Sequence, residues 1–533
     1  MSNPVSTQDL TIKDILEFGA TAWSETEIVY KNERVTFSQF KERVSWLAMG
    51  LTELGVRQGD VVAVIDWDTM RYMEAMFAVP MMGATLHTVN VRYPPEVVLY
   101  TMKHADDSYV IVRDEFLPLI EKFKDAFSFV KGWIVYSESG NRPNSALPNV
   151  RYYDDLLIKT HFDFPELGEE SVAMVFYTSG TTGMPKGVWF THKQIALHTM
   201  VLTAVGRLPP LNVNPDDVFM ILVPLFHIHS WDYPQTVMLS GNKYVLSGKY
   251  DVENILELIR KEKVTYTATV PTVLYMILNH PRIREYAEYL RGWRVVMGGA
   301  AIPRGLALKA KEFGITVASG YGMSETHGPV TVAFFSDRVS QMNENARLNY
   351  ALTGGRPLPM VRIKVVDTEG RELPHDGRSV GEIVVRAPWL TEGYLKDPER
   401  TSKLWRNGWL HTGDLGVIDE FGYVTFMDRE GDAIKSGGEF ISTLILESVI
   451  SECHKVGEVA VVGVKDEKWG QRPVAFIVKA GTLEEGDIGS CLEDAVKQGK
   501  IQRWWIPDKF LFVEALPKTS TNKVDKKELR KLI

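Results

Sequence analysis

The chain has 533 residues, 45% of them apolar and 24% charged, and a formal charge of −8, so it can bury more than one core. Its interspersed charges leave no basic footprint for nucleic acid or an anionic membrane. Two cysteines, Cys453 and Cys491, are too few for a disulfide framework, lack metal-ligand spacing and fit a reducing compartment. Residues 1–20 lack the basic and apolar blocks of a secretion signal, and no integral membrane segment is legible. A cytoplasmic protein is expected.

In chain order, Ile28–Tyr30 and Val35–Phe37 read as a short strand pair, followed by a helix from Ser38 to Leu54. Val61–Ile65 reads as a buried strand, Met70–Met82 as a helix whose methionines belong to a core, and Thr85–Asn90 as a strand. The alternation continues through Tyr109–Val112 and Gly132–Tyr136, which predicts layered α/β architecture. Ser137–Val150, rich in Ser, Asn, Gly and Pro, is a surface loop.

The apolar run Val172–Tyr177 has the bulk of a buried strand and opens into TSGTTGMPKGV. Its glycines allow close approach to a ligand, while Thr178, Ser179, Thr181, Thr182 and Lys186 offer donors and charge for phosphate oxygens. The spacing is not that of a P-loop NTPase, and alone such a loop reads as a turn. Val218–Leu225 is predicted as a strand, and His227 and His229 beyond it read as ordinary residues rather than metal ligands, taken to have no acidic or cysteine partner nearby in the chain. Val295–Met297 ends in GGAAIP, and Ile315–Gly320 runs into YGMSETHGP, both at strand exits where α/β sheets bind ligands. From Arg362 short strands and turns suggest a β subdomain. Thr443–Ser451 (helix), Val456–Val464 and Val474–Lys479 (strands), and Ile488–Lys497 (helix) follow, with a boundary near Asp428.

Four separated stretches, YTSGTTGMPKGV, YGMSETHG, GWLHTGD and PKTSTNKVDKKEL, occur in one order over residues 177–529. Together they resemble the adenylate-forming superfamily, and GWLHTGDLG, SGGEFIS and DEKWGQRP resemble its acyl-CoA synthetases, especially the medium-chain and methylthiopropionate-type ligases. The resemblance implies an α/β fold: a large N-terminal AMP- and acyl-binding domain, residues 1–428, of layered α/β subdomains plus a β subdomain. A small mobile α+β C-terminal domain, residues 429–533, would carry the catalytic lysine. It implies an acid:CoA ligase that makes acyl-AMP and pyrophosphate from a short- to medium-chain acid, then the acyl-CoA. Its partners are then a small carboxylic acid, ATP, Mg²⁺ and coenzyme A, with a homodimer as one candidate assembly. Activation of a long-chain, aromatic or hydroxylated acid, or loading of a carrier protein, is the alternative.

Residue by residue, the resemblance assigns the ATP phosphates to Thr178, Ser179, Gly180, Thr181, Thr182, Gly183 and Lys186, and the α-phosphate to Thr326. Gly298, Gly299, Ala300, Tyr321 and Gly322 would frame adenine, Asp414 and Arg429 would hold ribose, and Glu325 would bind the metal. Lys523 would stabilise charge during adenylation. Asn522, where relatives carry glycine, tolerates the left-handed backbone of that turn. Gly431 would be the hinge, and Lys435, Gly437, Gly438 and Glu439 would face coenzyme A, with Trp469 and Arg472 nearby. His227 would border the acid's carboxylate, and Trp231 and Trp389 its acyl chain. His229, Ser230 and Asp232 stand where relatives carry Asn, Ala and Gly, which suggests a polar acid.

Overall fold

A computed structural model describes residues 8–178, 184–429, 431–437, 439–520 and 522–533. Among these residues the chain forms four sheets and takes the mixed α/β architecture expected of it. The first sheet is ordered Val150–Tyr152, Gly132–Tyr136, Asp107–Arg113, Val61–Ile65, Thr85–Thr88, Val172–Thr178, Lys186–Thr191. All its neighbours run parallel except the last pair. Continuous apolar runs such as VVAVI suit strands covered on both faces.

The last pair is a hairpin in which Tyr177 opposes Gly187 and Thr178 opposes Lys186, so the phosphate-type loop is its tip. The second sheet carries the parallel strands Tyr266–Thr269, Arg294–Met297 and Thr316–Met323, followed by the antiparallel Gly328–Val332. A third, antiparallel sheet contains Arg362–Val366, Gly381–Arg386, Trp409–Ile418 and Val424–Arg429, matching the predicted β subdomain. The fourth contains Val456–Asp466 and Gly470–Lys479, with Lys509–Val513 parallel to the latter.

Local chemistry accounts for the element ends. The helix Phe37–Leu54 starts at Thr36, whose hydroxyl accepts from Gln39 N while Gln39 returns the contact, and stops at Gly55 with φ +110°. Met70, Met73, Met76 and Met81 are core residues, as expected of that helix. Only Val218–Phe219 of the predicted strand Val218–Leu225 is regular. Met220 and Leu222 still donate to Tyr266 O and Ala268 O before Pro224 interrupts the run.

Every apolar cluster among the described residues lies on one side of the third sheet's end. Three clusters run no further than Phe426, and two begin at Ile434 or later. A large N-terminal and a smaller C-terminal domain therefore fold around separate cores. The cysteine reading needs correction: Cys453, just after the helix Thr443–Ser451, forms a disulfide with Cys491 of the helix Glu485–Lys497. Thirty-eight positions separate the pair, and the packing of the two helices brings it together, which spacing alone does not reveal. No helix among the described residues is long and apolar enough to cross a membrane.

Candidate active site

The site gathers at the C-terminal ends of the parallel strands. Thr178 and Lys186 stand at the hairpin neck; Ser179, Gly180, Thr181, Thr182 and Gly183 lie outside the described residues. Lys186 Nζ sits 4.3 Å from the centre of the Tyr394 ring and donates to its hydroxyl at 3.3 Å. That hydroxyl donates to Glu325 Oε1 at 2.5 Å, so Lys186, Tyr394 and Glu325 form one chain. Tyr394 is a member that sequence reasoning missed, because it lies 69 positions from Glu325 and outside every motif.

Glu325 is buried in the turn after Thr316–Met323, and its second oxygen has no hydrogen bond among the described residues. The Thr326 hydroxyl closes that turn, accepting from Met323 N at 2.9 Å and lying 2.7 Å from Gly328 O. Gly322 is obligatory there, since a Cβ would meet Gly328 O at 1.9 Å.

Tyr321 donates to Asp414 Oδ2 at 2.8 Å and stacks on Phe426. Asp414 opposes Arg429 across neighbouring strands, with Oδ1 3.4 Å from Arg429 Nε and without a hydrogen bond. Burial raises the Asp414 carboxyl against the pull of Arg429. Asp414 is thus a buried acceptor with one oxygen left without a hydrogen bond. Gly298 is buried, while Gly299 and Ala300 are exposed beside it.

Lys523 reaches this place from the C-terminal domain. Gly299 has φ +76°, and a Cβ there would stand 2.5 Å from Lys523 Cε and 2.8 Å from Nζ. Glycine is required for this approach. Burial, then the Arg429 charge, pushes Lys523 down to about 8, opposed by Asp414. Asn522 takes φ +61°, the left-handed turn anticipated for it. Two further residues hold the loop: Arg92 donates to Ser520 O at 3.1 Å and Asn90 to Ser520 Oγ at 3.2 Å. Neither carried a sequence signal.

His227 lies beside this lysine; burial, then the charges of Lys523 and Arg92, push it down to about 3, so it is neutral. The next five residues, Ile228 to Asp232, all have φ between +49° and +57°. Left-handed backbone costs about 1–2 kcal/mol per L-residue, so this run persists only under firm restraint. It places the Trp231 ring against Gly298, where a Cβ would lie 2.9 Å from Cη2, and against Gly328. Trp389 is fully buried, its ring 5.5 Å from that of His198.

Lys435, Gly437 and Glu439 are exposed on the C-terminal hairpin, with Gly437 donating to Trp469 O; they share no hydrogen bond with Lys523, Asp414 or Glu325 among the described residues. Gly438 is outside those residues. Gly431 is exposed, with open space around its Cα.

Residues 17–395 match the AMP-binding enzyme family, and 446–523 match the AMP-binding enzyme C-terminal domain, ending on Lys523 itself. The chain belongs to the AMP-binding enzyme family. This AMP-binding enzyme is 36% identical to the long-chain-fatty-acid–CoA ligase of Thermus thermophilus over 98% of its own length and 95% of that relative's. It is 34% identical to a 3-methylmercaptopropionyl-CoA ligase of Ruegeria lacuscaerulensis, covering 99% and 98% of the two chains. Its fold resembles the anthranilate CoA ligase AuaEII in complex with anthranoyl-AMP, with a TM-score of 0.86, 24% identity, and 99% and 98% coverage.

Proposed function

We propose that this AMP-binding enzyme is an acid:CoA ligase. It joins a short- to medium-chain carboxylic acid to AMP with release of pyrophosphate, then passes the acyl group to the thiol of coenzyme A. The observation that carries this reading is the approach of Lys523 to Gly299, whose electrostatic neighbours are Arg429 and the Asp414 carboxylate that Tyr321 holds. The acyl-CoA ligases among its relatives, alike over nearly the whole chain, support it.

In the first half-reaction a carboxylate oxygen attacks the α-phosphorus of ATP and the bond to pyrophosphate breaks. Two anions meet, so cations and donors must stand where charge develops. Lys523 lies against both reacting groups, Thr178 to Lys186 grips the departing phosphates, Thr326 faces the α-phosphate, and Asp414 with Arg429 holds the ribose hydroxyls. Adenine rests between Tyr321, Gly322 and the Gly298–Ala300 backbone, exposed at Gly299 and Ala300. Glu325, a buried hard-oxygen donor with one oxygen uncommitted, fits Mg²⁺. When bound, that ion neutralises phosphate charge. Neutral His227 borders the acid's carboxylate without adding a positive charge there, and Trp231 and Trp389 bound its acyl chain.

For the second half-reaction, the boundary at 428/429 lets residues 429–533 turn about Gly431. That motion would withdraw Lys523 and present Lys435, Gly437, Gly438 and Glu439 to the pantetheine thiol. Separate apolar cores and open space at Gly431 support such a rotation. The cytoplasm is the proposed location.

The test is acid-dependent pyrophosphate release across straight-chain, branched, hydroxylated and aromatic acids, with mass-spectrometric detection of acyl-CoA. Pyrophosphate without acyl-CoA would redirect the reading to another acyl acceptor, such as a carrier protein. No pyrophosphate with any acid would sink it.

A further inference from the structure

Beside Trp231 three side chains from distant parts of the chain converge, all with less than one per cent of their surface exposed: His198 of the helix His192–Gly206, Asp232 at the end of the left-handed run, and His327 just after Glu325 and Thr326. His198 Nδ1 is 2.8 Å and His327 Nδ1 3.1 Å from Asp232 Oδ2, and the three donor atoms lie within 4.8 Å of one another. His327 Nδ1 nevertheless makes no hydrogen bond, and neither does Asp232 Oδ1. His327 Nδ1, although close to Asp232 Oδ2, and Asp232 Oδ1 are thus two buried polar atoms without a hydrogen bond, which proteins rarely leave so.

The outer nitrogens of both rings are engaged. His198 Nε2 lies 3.1 Å from Pro329 O, an acceptor only, so Nε2 carries a proton, and Nδ1 stands 2.8 Å from the Asp232 carboxylate. His327 Nε2 lies 3.1 Å from His229 Nδ1, which likewise leaves His327 Nδ1 free to face Asp232. When both rings are neutral and protonated on their outer nitrogens, two lone pairs turn on one carboxylate, an arrangement that a cation between them would satisfy. Ring N–H groups bonded to a carbonyl or another acceptor on the far side are what orients metal-binding histidines.

We propose that His198, Asp232 and His327 bind one zinc ion, with Asp232 chelating through both oxygens to complete four-fold coordination. Two imidazole nitrogens and a carboxylate suit zinc, at about 2.0–2.2 Å per ligand. Ligands on one four-coordinate ion stand about 3.3 Å apart, so the two histidine–carboxylate contacts open by a few tenths of an ångström on binding while the three atoms, now within 4.8 Å of one another, draw together around the ion. The ion ties the helix His192–Gly206 and the left-handed run to the turn that carries Glu325 and Thr326. It thereby fixes Trp231, held between His229 and Asp232, against Gly298 and Gly328. The histidines at 227 and 229, weighed together in the sequence, are not the ligands; the pairing is across the fold, with His229 supporting His327.

The test is the metal content of the full chain purified without chelator from zinc-supplemented culture, alongside Asp232→Asn and His198→Gln. About one equivalent of zinc per chain, lost in both variants and replaceable by cobalt with a visible ligand-field spectrum, is expected. Less than about a tenth of an equivalent in the wild type, or zinc retained at wild-type level in both variants, overturns the assignment. If neither variant folds, anomalous scattering at the zinc edge decides: a peak between the three side chains supports the site, and its absence there overturns it.

Discussion

The nucleotide side of the site is built into two sheets, whereas the lysine side comes from a loop that rests on them. Tyr321, Asp414 and Arg429 are strand residues whose positions follow from ladder register, and Tyr321 and Asp414 are buried while Arg429 is exposed. Lys523 sits in a turn closed by Thr519 and by the single bridge Lys518 to Val524. Across to the other domain, that turn is held by Asn90 and Arg92, while the neighbouring helix Arg304–Glu312 packs on Thr443–Ser451. No apolar cluster among the described residues crosses between the two. A group that must be present for one step and absent for the next is better held by a few polar contacts than by a core.

This contrast can be broken in stages. The largest effect is expected from Lys523→Ala: pyrophosphate release drops by about 10²–10³-fold or more, while thioester formation from supplied acyl-AMP stays within a few-fold. Equal losses in both assays would mean that the lysine serves both steps. Asp414→Ala, on the rigid side, should raise the KM for ATP by about 10- to 100-fold, as loss of hydrogen bonds to a charged acceptor implies. Unchanged nucleotide binding by calorimetry would remove Asp414 from the ribose.

Gly299→Ala puts a methyl where Lys523 passes and strains a backbone at φ +76°. About a tenfold loss confined to adenylation is expected, with acyl-AMP turnover spared. Arg92→Ala frees the Ser520 carbonyl and should slow adenylation by about three- to tenfold, again sparing the second step, because a polar latch is worth about 1 kcal/mol. Equal slowing of both half-reactions would make Arg92 merely structural.

A pH profile gives the smallest effect and the finest reading. Because burial and Arg429 push Lys523 down to about 8, the free enzyme loses this cation as pH rises through that value. The kcat/KM for pyrophosphate release should therefore fall on the alkaline side of about pH 8, and Lys523→Arg, charged throughout, should flatten the fall. Bound ATP adds negative charge and should move the kcat limb to higher pH.

Much of this was legible because local chemistry and position coincide. The helix Thr443–Ser451 follows from its apolar period, and the strand Val172–Thr178 from an apolar run that ends at glycines, whereas its antiparallel partner Lys186–Thr191 is not among the strands read from the sequence. The left-handed Asn522 follows from its side chain. What stayed hidden depends on pairing across the fold. Tyr394 joins Lys186 to Glu325, Arg92 reaches Ser520 over 428 positions, and Cys453 meets Cys491 only once two helices have packed. His198, Asp232 and His327 carry no shared spacing at all, and the run from Ile228 to Asp232 has none of the glycines that usually announce a left-handed backbone.

The ladder between Trp409–Ile418 and Val424–Arg429 closes on the Asp414–Arg429 rung, and the chain leaves the sheet directly afterwards. Whatever competes for that carboxylate also slackens the last fastening before the C-terminal domain. Arg429 is in this sense a fulcrum: under the proposed ribose role of Asp414, a sugar settling there would alter the leverage on everything downstream, so cargo and crank would share one bearing.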